Sequence, residues 1–110
     1  MSQNENIKKI ELYLSSRFQL PPEQVAEMIP TFITTLKEHV VNLENALKSG
    51  SLVELGGSGH TIKGALLNLG LFESAEIALE IEKNGKAEDQ GTDYQALVGK
   101  IKADLTPLFK

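Results

Sequence analysis

The sequence predicts an all-α protein, an antiparallel up-down four-helix bundle with a short additional N-terminal helix. Apolar residues recur at spacings of three and four along most of the chain, and no segment alternates as a strand does. Glycines at positions 50, 70 and 85 separate the apolar stripes and mark short connections. Because short connections join antiparallel neighbours, the helices are expected to run alternately up and down.

The first helix is predicted over residues 3–17. Ser2 and Glu5 have the spacing of a capping box, which marks a helix start. The face expected to be buried consists of Ile7, Ile10 and Leu14.

The second helix is predicted over residues 22–48, after Pro21 and Pro22, because proline suits a first helical turn. Pro30 lies inside this segment and is expected to bend or break it. Gly50 supplies the C-terminal stop. The apolar stripe consists of Val25, Ile29, Phe32, Leu36, Val40, Leu43 and Leu47.

The third helix is predicted to start directly afterwards, since Ser51 and Glu54 repeat the capping-box spacing, and to extend to Gly70. Its core stripe consists of Leu52, Leu55, Ile62, Leu66 and Leu69, with Gly59 on the same face.

The fourth helix is predicted over residues 71–84, with Gly85 as its stop, and Thr92 with Gln95 is expected to cap the last helix. The inward residues of the fourth helix are Leu71, Ala75, Ala78 and Ile81. Those of the last helix are Tyr94, Leu97, Ile101, Leu105 and Leu108.

Composition limits the function classes. The length of 110 residues fits one domain, residues 1–110, which we expect to be complete and free-standing. A net charge of −4 argues against nucleic acid and anionic membranes as partners. The absence of cysteine excludes disulfides, zinc–thiolate sites and thiol catalysis. Since the sequence shows no signal peptide and no apolar run of membrane-spanning length, we expect a soluble cytoplasmic protein.

His60 is the residue with the strongest functional signal. At 100° per residue it lies roughly 120° from the core stripe of the third helix, and it is therefore expected to be exposed. Gly57 and Gly64 flank it on the outer face, and Lys63 follows one turn later, close enough to share a ligand.

The third helix contains glycine at positions 56, 57, 59 and 64, which costs on the order of 4 kcal/mol relative to alanine. A functional explanation is access, because an imidazole without neighbouring side chains can enter another protein's active site. The alternative is that residues 56–59 form a break between two helices, which leaves Gly64 unexplained.

Other chemistries fit poorly. The glycines fail both the dinucleotide-binding and the P-loop patterns, which argues against an ATP-dependent kinase. His39 and His60 lack metal-ligand spacing, and His39 is expected to be a solvated residue of the second helix. Ser58 lies on a different face from His60, so a hydrolase constellation is not indicated.

The stretch His60-Thr61-Ile62-Lys63-Gly64, followed by Asn68-Leu69-Gly70, resembles the H-x-x-K-G…G signature of histidine-containing phosphotransfer (HPt) domains. The likeness extends to residues 32–50 before the motif and to residues 75–86 after it. Residues 56–59 depart from the family, which usually has better helix formers there.

This resemblance implies a phosphorelay intermediate and not an enzyme with its own kinase activity. His60 would take a phosphoryl group from the phospho-aspartate of one receiver domain and pass it to the aspartate of another, while Lys63 neutralises phosphoryl oxygens. The partners would be receiver domains of response regulators and hybrid sensor kinases, and the domain would act as a monomer. It would hold no cofactor or metal of its own, and the receiver would bring magnesium.

Val53 and Leu67 lie close to the azimuth of His60, far from the core stripe. We interpret them as a docking patch for the receiver; the alternative is that the first helix or a loop covers them. A second hypothesis for the whole protein also stays open, namely that it is a non-catalytic helical interaction module.

Overall fold

The computed structural model describes the backbone of residues 2–109 and the side chains of residues 7–109. Over this range the chain is helical and contains no strand, as predicted. The elements are α1 (Ser2–Phe18), α2 (Pro22–Ser49), α3 (Leu52–Asn68), α4 (Phe72–Lys86), α5 (Tyr94–Leu105) and a final 3₁₀ turn, η1 (Thr106–Phe109).

The N-terminal helix is longer than expected. α1 has 17 residues, as many as α3, and it packs against α2 and η1. The proposed capping box of Ser2 and Glu5 depends on side chains that lie outside the described residues.

Pro30 does not break α2, which continues through it for 28 residues. Proline cannot donate to the carbonyl four residues earlier, here that of Ala26. Both Pro30 and Ala26 are exposed, so water can hydrate the carbonyl that the missing hydrogen bond leaves.

The connection between α2 and α3 is as short as predicted. Gly50 adopts the left-handed conformation, with φ of 79°, and its N–H donates to the carbonyl of Leu47. The Ser51 hydroxyl accepts from the backbone N–H of Glu54. The reciprocal half of the capping box is absent, because the N–H of Ser51 donates instead to the hydroxyl of Ser49.

Residues 56–59 do not interrupt α3, so the helix-break alternative is wrong. Gly85 likewise does not stop α4, which continues to Lys86. Gly85 is buried against α3, which explains why glycine stands there: it permits close packing and not a turn.

The start of α5 also differs from expectation. Asp93 is its N-cap, and its carboxylate accepts from the N–H of Ala96. Thr92 donates its hydroxyl proton to Asp89 and does not cap the helix with Gln95.

A single apolar core joins these helices. α2 packs on α3, α3 on α4, α4 on α5 and α5 on α2, so the four helices enclose the core between them. Its fully buried side chains include Ile10, Leu14, Leu36, Leu43, Leu55, Ile62, Leu66, Ile81, Ile101 and Leu105. Phe32, Leu47, Leu52, Leu71 and Leu97, also predicted to face inward, are partly buried at its edge. Among the described helices, none is long and apolar enough to span a membrane.

Candidate functional site

His60 lies on the outer face of α3, as its position on the helical wheel indicated. Its side chain is 60% exposed. The Nδ1 atom lies 2.8 Å from Oε2 of Glu82, a residue of the neighbouring helix α4. The imidazole is therefore accessible to another protein and is fixed on one side by a carboxylate.

Glu82 is the centre of a small ionic cluster. Lys63 Nζ lies 2.6 Å from Oε1, and Lys86 Nζ lies 3.1 Å from Oε2, the oxygen that also contacts His60. The Glu82 side chain is only 12% exposed. Two ammonium groups and one imidazole thus share a single carboxylate between α3 and α4.

This cluster determines the protonation of Glu82 and, through the contact with Glu82, the tautomer of His60. The Lys63 ammonium, together with Lys86 and His60, lowers the pKa of Glu82 from 4.5 to about 2, against the opposing effect of desolvation. An ionised carboxylate can only accept hydrogen bonds. The contact therefore assigns the proton to Nδ1 of His60, and in the neutral imidazole the lone pair is then on Nε2.

Gly57 and Gly64 border the imidazole and face open space. A Cβ atom built at either position would meet nothing within 4 Å. Packing within the protein therefore does not require glycine at these two positions, which is consistent with the access explanation.

The other glycines of this region serve packing. A Cβ at Gly56 would lie 2.8 Å from the backbone N of Lys86, and one at Gly59 would lie 3.0 Å from that of Glu82. A Cβ at Gly85 would lie 2.7 Å from the carbonyl oxygen of Leu52. These three glycines bring the backbones of α3 and α4 together, and they place Glu82 within reach of His60.

The two residues expected to form a docking patch are exposed. Val53 and Leu67 expose 54% and 42% of their surface, so neither α1 nor a loop covers them. On α4, Phe72 and Leu79 are also exposed apolar residues, and they share an azimuth with Lys86 at spacings of seven residues. We define the α3–α4 face by Val53, His60, Leu67, Leu79 and Lys86.

His39 departs from expectation, since it is partly buried on α2. Its Nδ1 is enclosed and makes no hydrogen bond within the described part of the chain. Within residues described by the structure, no group of three or more histidine, cysteine, aspartate or glutamate side chains could hold a metal ion.

The sequence reasoning missed Glu82 and Lys86 as site residues. A glutamate followed four residues later by lysine is a favourable helical pair, so their mutual contact could be predicted from the sequence. Their contact with His60 was not, because it joins residues 22 positions apart and depends on the register between α3 and α4.

The arrangement supports nucleophilic chemistry at one imidazole nitrogen, and the nearby lysines can stabilise an anion.

The model of the Hpt domain family matches residues 27–107, which include His60, Lys63, Glu82 and Lys86. A comparison with curated proteins and one with solved structures each find no match. The family match covers well over half of the chain and confirms the family predicted from the motif at His60. The chain therefore belongs to the Hpt domain family, whose members act in two-component phosphorelays through histidine phosphotransfer.

Proposed function

We propose that His60 accepts a phosphoryl group from the phospho-aspartate of a receiver domain and passes it to the aspartate of a second receiver. The observation that carries this proposal is the exposed imidazole whose Nδ1 contacts the ionised carboxylate of Glu82. That contact leaves Nε2 as the nucleophile on an accessible surface.

The step needs no proton transfer at the reacting nitrogen. The lone pair of Nε2 attacks phosphorus, the P–O bond of the acyl phosphate breaks, and the aspartate leaves as a carboxylate. The proton on Nδ1 stays in place, so the phosphorylated ring carries positive charge, which the carboxylate of Glu82 stabilises at 2.8 Å. In the second transfer an aspartate oxygen attacks phosphorus, the N–P bond breaks, and neutral imidazole leaves.

Positive charge near the phosphoryl group comes from Lys63 and from the partner. We propose that Lys63 supports the transfer, through Glu82 in the state described here and towards the phosphoryl oxygens when the receiver is bound. The receiver would supply the magnesium ion that phosphoryl transfer requires. The domain itself would use no cofactor.

The receiver is proposed to dock on the α3–α4 face. Val53 and Leu67 flank His60 on α3 at intervals of seven residues, and Leu79 adds an exposed apolar side chain on α4. Gly57 and Gly64 leave the space around the imidazole open for the receiver's aspartate. The apolar residues would supply the contact area, and the glycines would let the receiver's aspartate approach the imidazole.

The wider setting is proposed on the same basis. The partners would be receiver domains of response regulators and hybrid sensor kinases, and the chain would act as a single monomeric domain in the cytoplasm. Within it, α2 to α5 would form an antiparallel up-down bundle, to which α1 is added.

The test is direct transfer from charged receivers. Receiver domains are labelled with radioactive acetyl phosphate, freed of the small donor and mixed with the protein. The label should move to this chain, should be lost in acid and should survive alkali, as expected for phosphohistidine.

Two variants locate the label. His60→Gln should take none while its circular dichroism spectrum is unchanged, and His39→Gln, the matched change at the other histidine, should take as much as the wild type. Label retained by His60→Gln would contradict the assignment. Failure of every receiver in a broad panel would favour a non-catalytic interaction module.

A further inference from the structure

Lys86 is a second basic residue at the site, and it lies outside the motif around His60. Its Nζ is 3.1 Å from Oε2 of Glu82, the same oxygen that accepts the hydrogen bond from His60 Nδ1. Lys63 binds the other oxygen, Oε1. Of the two lysines, Lys86 alone shares an oxygen with the imidazole.

The two lysines reach the cluster from opposite directions along α3. Lys63 follows His60 by one turn on the same helix. The backbone of Lys86 packs on Gly56, one turn before His60. A group bound to His60 can therefore be approached by an ammonium from either direction along α3.

The two lysines differ in how firmly they are held. The Lys63 side chain is 22% exposed and makes a 2.6 Å contact, whereas that of Lys86 is 53% exposed. The pair between Glu82 and Lys86 joins positions i and i+4 of one helix, a class of ion pair that is weak when solvent reaches it. Lys86 can exchange its partner more readily than Lys63.

Phosphorylation of His60 changes what this cluster must neutralise. A phosphoryl group adds between one and two negative charges and three strong acceptor oxygens. It adds this charge to the ring nitrogen opposite the one that contacts Glu82, so that an ammonium of the same cluster can gain a better partner.

We propose that Lys86 is the cation that binds the phosphoryl group in the free phosphorylated domain. When Nε2 of His60 carries a phosphoryl group and no receiver is bound, the Lys86 ammonium leaves Oε2 and binds the phosphoryl oxygens, while Lys63 stays on Oε1 and keeps Glu82 in position. This inference rests on the proposed function, because it requires that His60 be phosphorylated.

The test uses a small donor, so that docking of a receiver plays no part. Phosphoramidate transfers its phosphoryl group to an imidazole nitrogen and releases ammonia. The full chain is phosphorylated in this way, and the ³¹P resonance of the phosphohistidine is followed as a function of pH. A cation in contact with the phosphoryl group favours its dianion, so Lys86→Gln should raise the titration midpoint, by about 0.5 pH unit or more.

Matched variants distinguish direct contact between Lys86 and the phosphoryl group from the effect of overall charge and from an effect on folding. Lys83→Gln removes the same charge from the same helix at a position without an ion pair in the described residues, and its midpoint should equal that of the wild type. Lys86→Arg should restore the wild-type value. After denaturation in urea, the phosphohistidine of all variants should titrate with one midpoint, which shows that the difference belongs to the folded site.

The outcomes are distinct. Phosphohistidine that titrates identically in wild type, Lys86→Gln and Lys83→Gln overturns the role of Lys86 and leaves the proposed function standing. A shift in Lys63→Gln with none in Lys86→Gln assigns the contact to Lys63 and also overturns the inference. Failure of His60 to take phosphate from both phosphoramidate and receivers refutes the proposed function and this inference together.

Discussion

Replacing Glu82 by glutamine tests the charge at the centre of the site while keeping the size of the side chain. In the folded protein the pKa of Glu82 is lowered from 4.5 to about 2, first by Lys63 and then by Lys86 and His60. At 1.36 kcal/mol per pH unit this shift corresponds to roughly 3 kcal/mol as an upper limit. Since His60 and Lys86 are more than half exposed, solvent screening reduces the expected contribution to about 1–2 kcal/mol.

The sign of the pH dependence follows from the direction of the shift. Between pH 4.5 and about 2 the unfolded chain binds a proton at Glu82 that the folded chain does not, so stability falls as the pH falls. The contribution is complete above the unfolded pKa and is lost as the pH passes down through the folded one. Glu82→Gln should therefore be less stable than wild type by about 1–2 kcal/mol at pH 7, and the difference should vanish near pH 2.

Urea unfolding followed by circular dichroism at pH 7, 5, 4, 3 and 2 measures this difference. Glu80→Gln is the matched control, because Glu80 is an exposed residue of the same helix and makes no ion pair among the described residues. Phosphorylation should also slow, by roughly ten-fold or more, because the positive ring of phosphorylated His60 loses its carboxylate. Parallel stability curves for wild type and Glu82→Gln between pH 5 and 2 would refute the electrostatic reasoning.

Five further substitutions test packing, access and docking. Gly85→Ala should destabilise the fold by about 1–3 kcal/mol in urea unfolding, since its Cβ would lie 2.7 Å from a backbone oxygen, whereas Gly57→Ala should stabilise it by up to about 1 kcal/mol. Gly64→Gln should leave the melting temperature nearly unchanged and block transfer from receivers; normal transfer would contradict the access explanation. Leu67→Asp and Val53→Asp should each weaken receiver binding by about 1–3 kcal/mol in titration calorimetry with little effect on stability. A large drop in melting temperature with binding intact would exclude docking.

The helical period of the sequence was sufficient to locate the helices and most of the core. The apolar stripes gave the bounds of α2 within one residue and identified Leu36, Leu43, Ile62 and Leu66, which are almost fully buried. Periodicity works here because each helix buries one face and leaves the other in solvent.

Local signals at helix ends were less reliable, since a glycine or a hydroxyl can serve more than one purpose. Gly50 and Gly85 look alike in sequence, yet Gly50 adopts positive φ at a helix end and Gly85 lies inside a helix. Asp93 and Thr92 are adjacent residues that can both cap, and only the structure shows which of them does so. Such choices depend on contacts with other helices, which a local pattern does not contain.

The candidate site likewise has features that one helix predicts and features that depend on contacts between helices. The position of His60 on the outer face follows from helix geometry and is confirmed by its exposed side chain. The same geometry places Lys63 one turn away, and that both side chains contact Glu82 depends on how α4 lies against α3. No local pattern supplies that register.

The packing glycines connect the fold of this protein to its chemistry. An added Cβ at Gly85 or Gly56 would come within 2.8 Å of backbone atoms of the opposite helix, where ordinary contacts are 3.4–4 Å. Relief of that contact would move α3 and α4 apart by a large part of an ångström. The hydrogen bond from His60 to Glu82 is 2.8 Å long, and at about 3.6 Å it would no longer be one. The glycines that weaken α3 as an isolated helix therefore permit the interhelical approach on which the orientation of the imidazole depends.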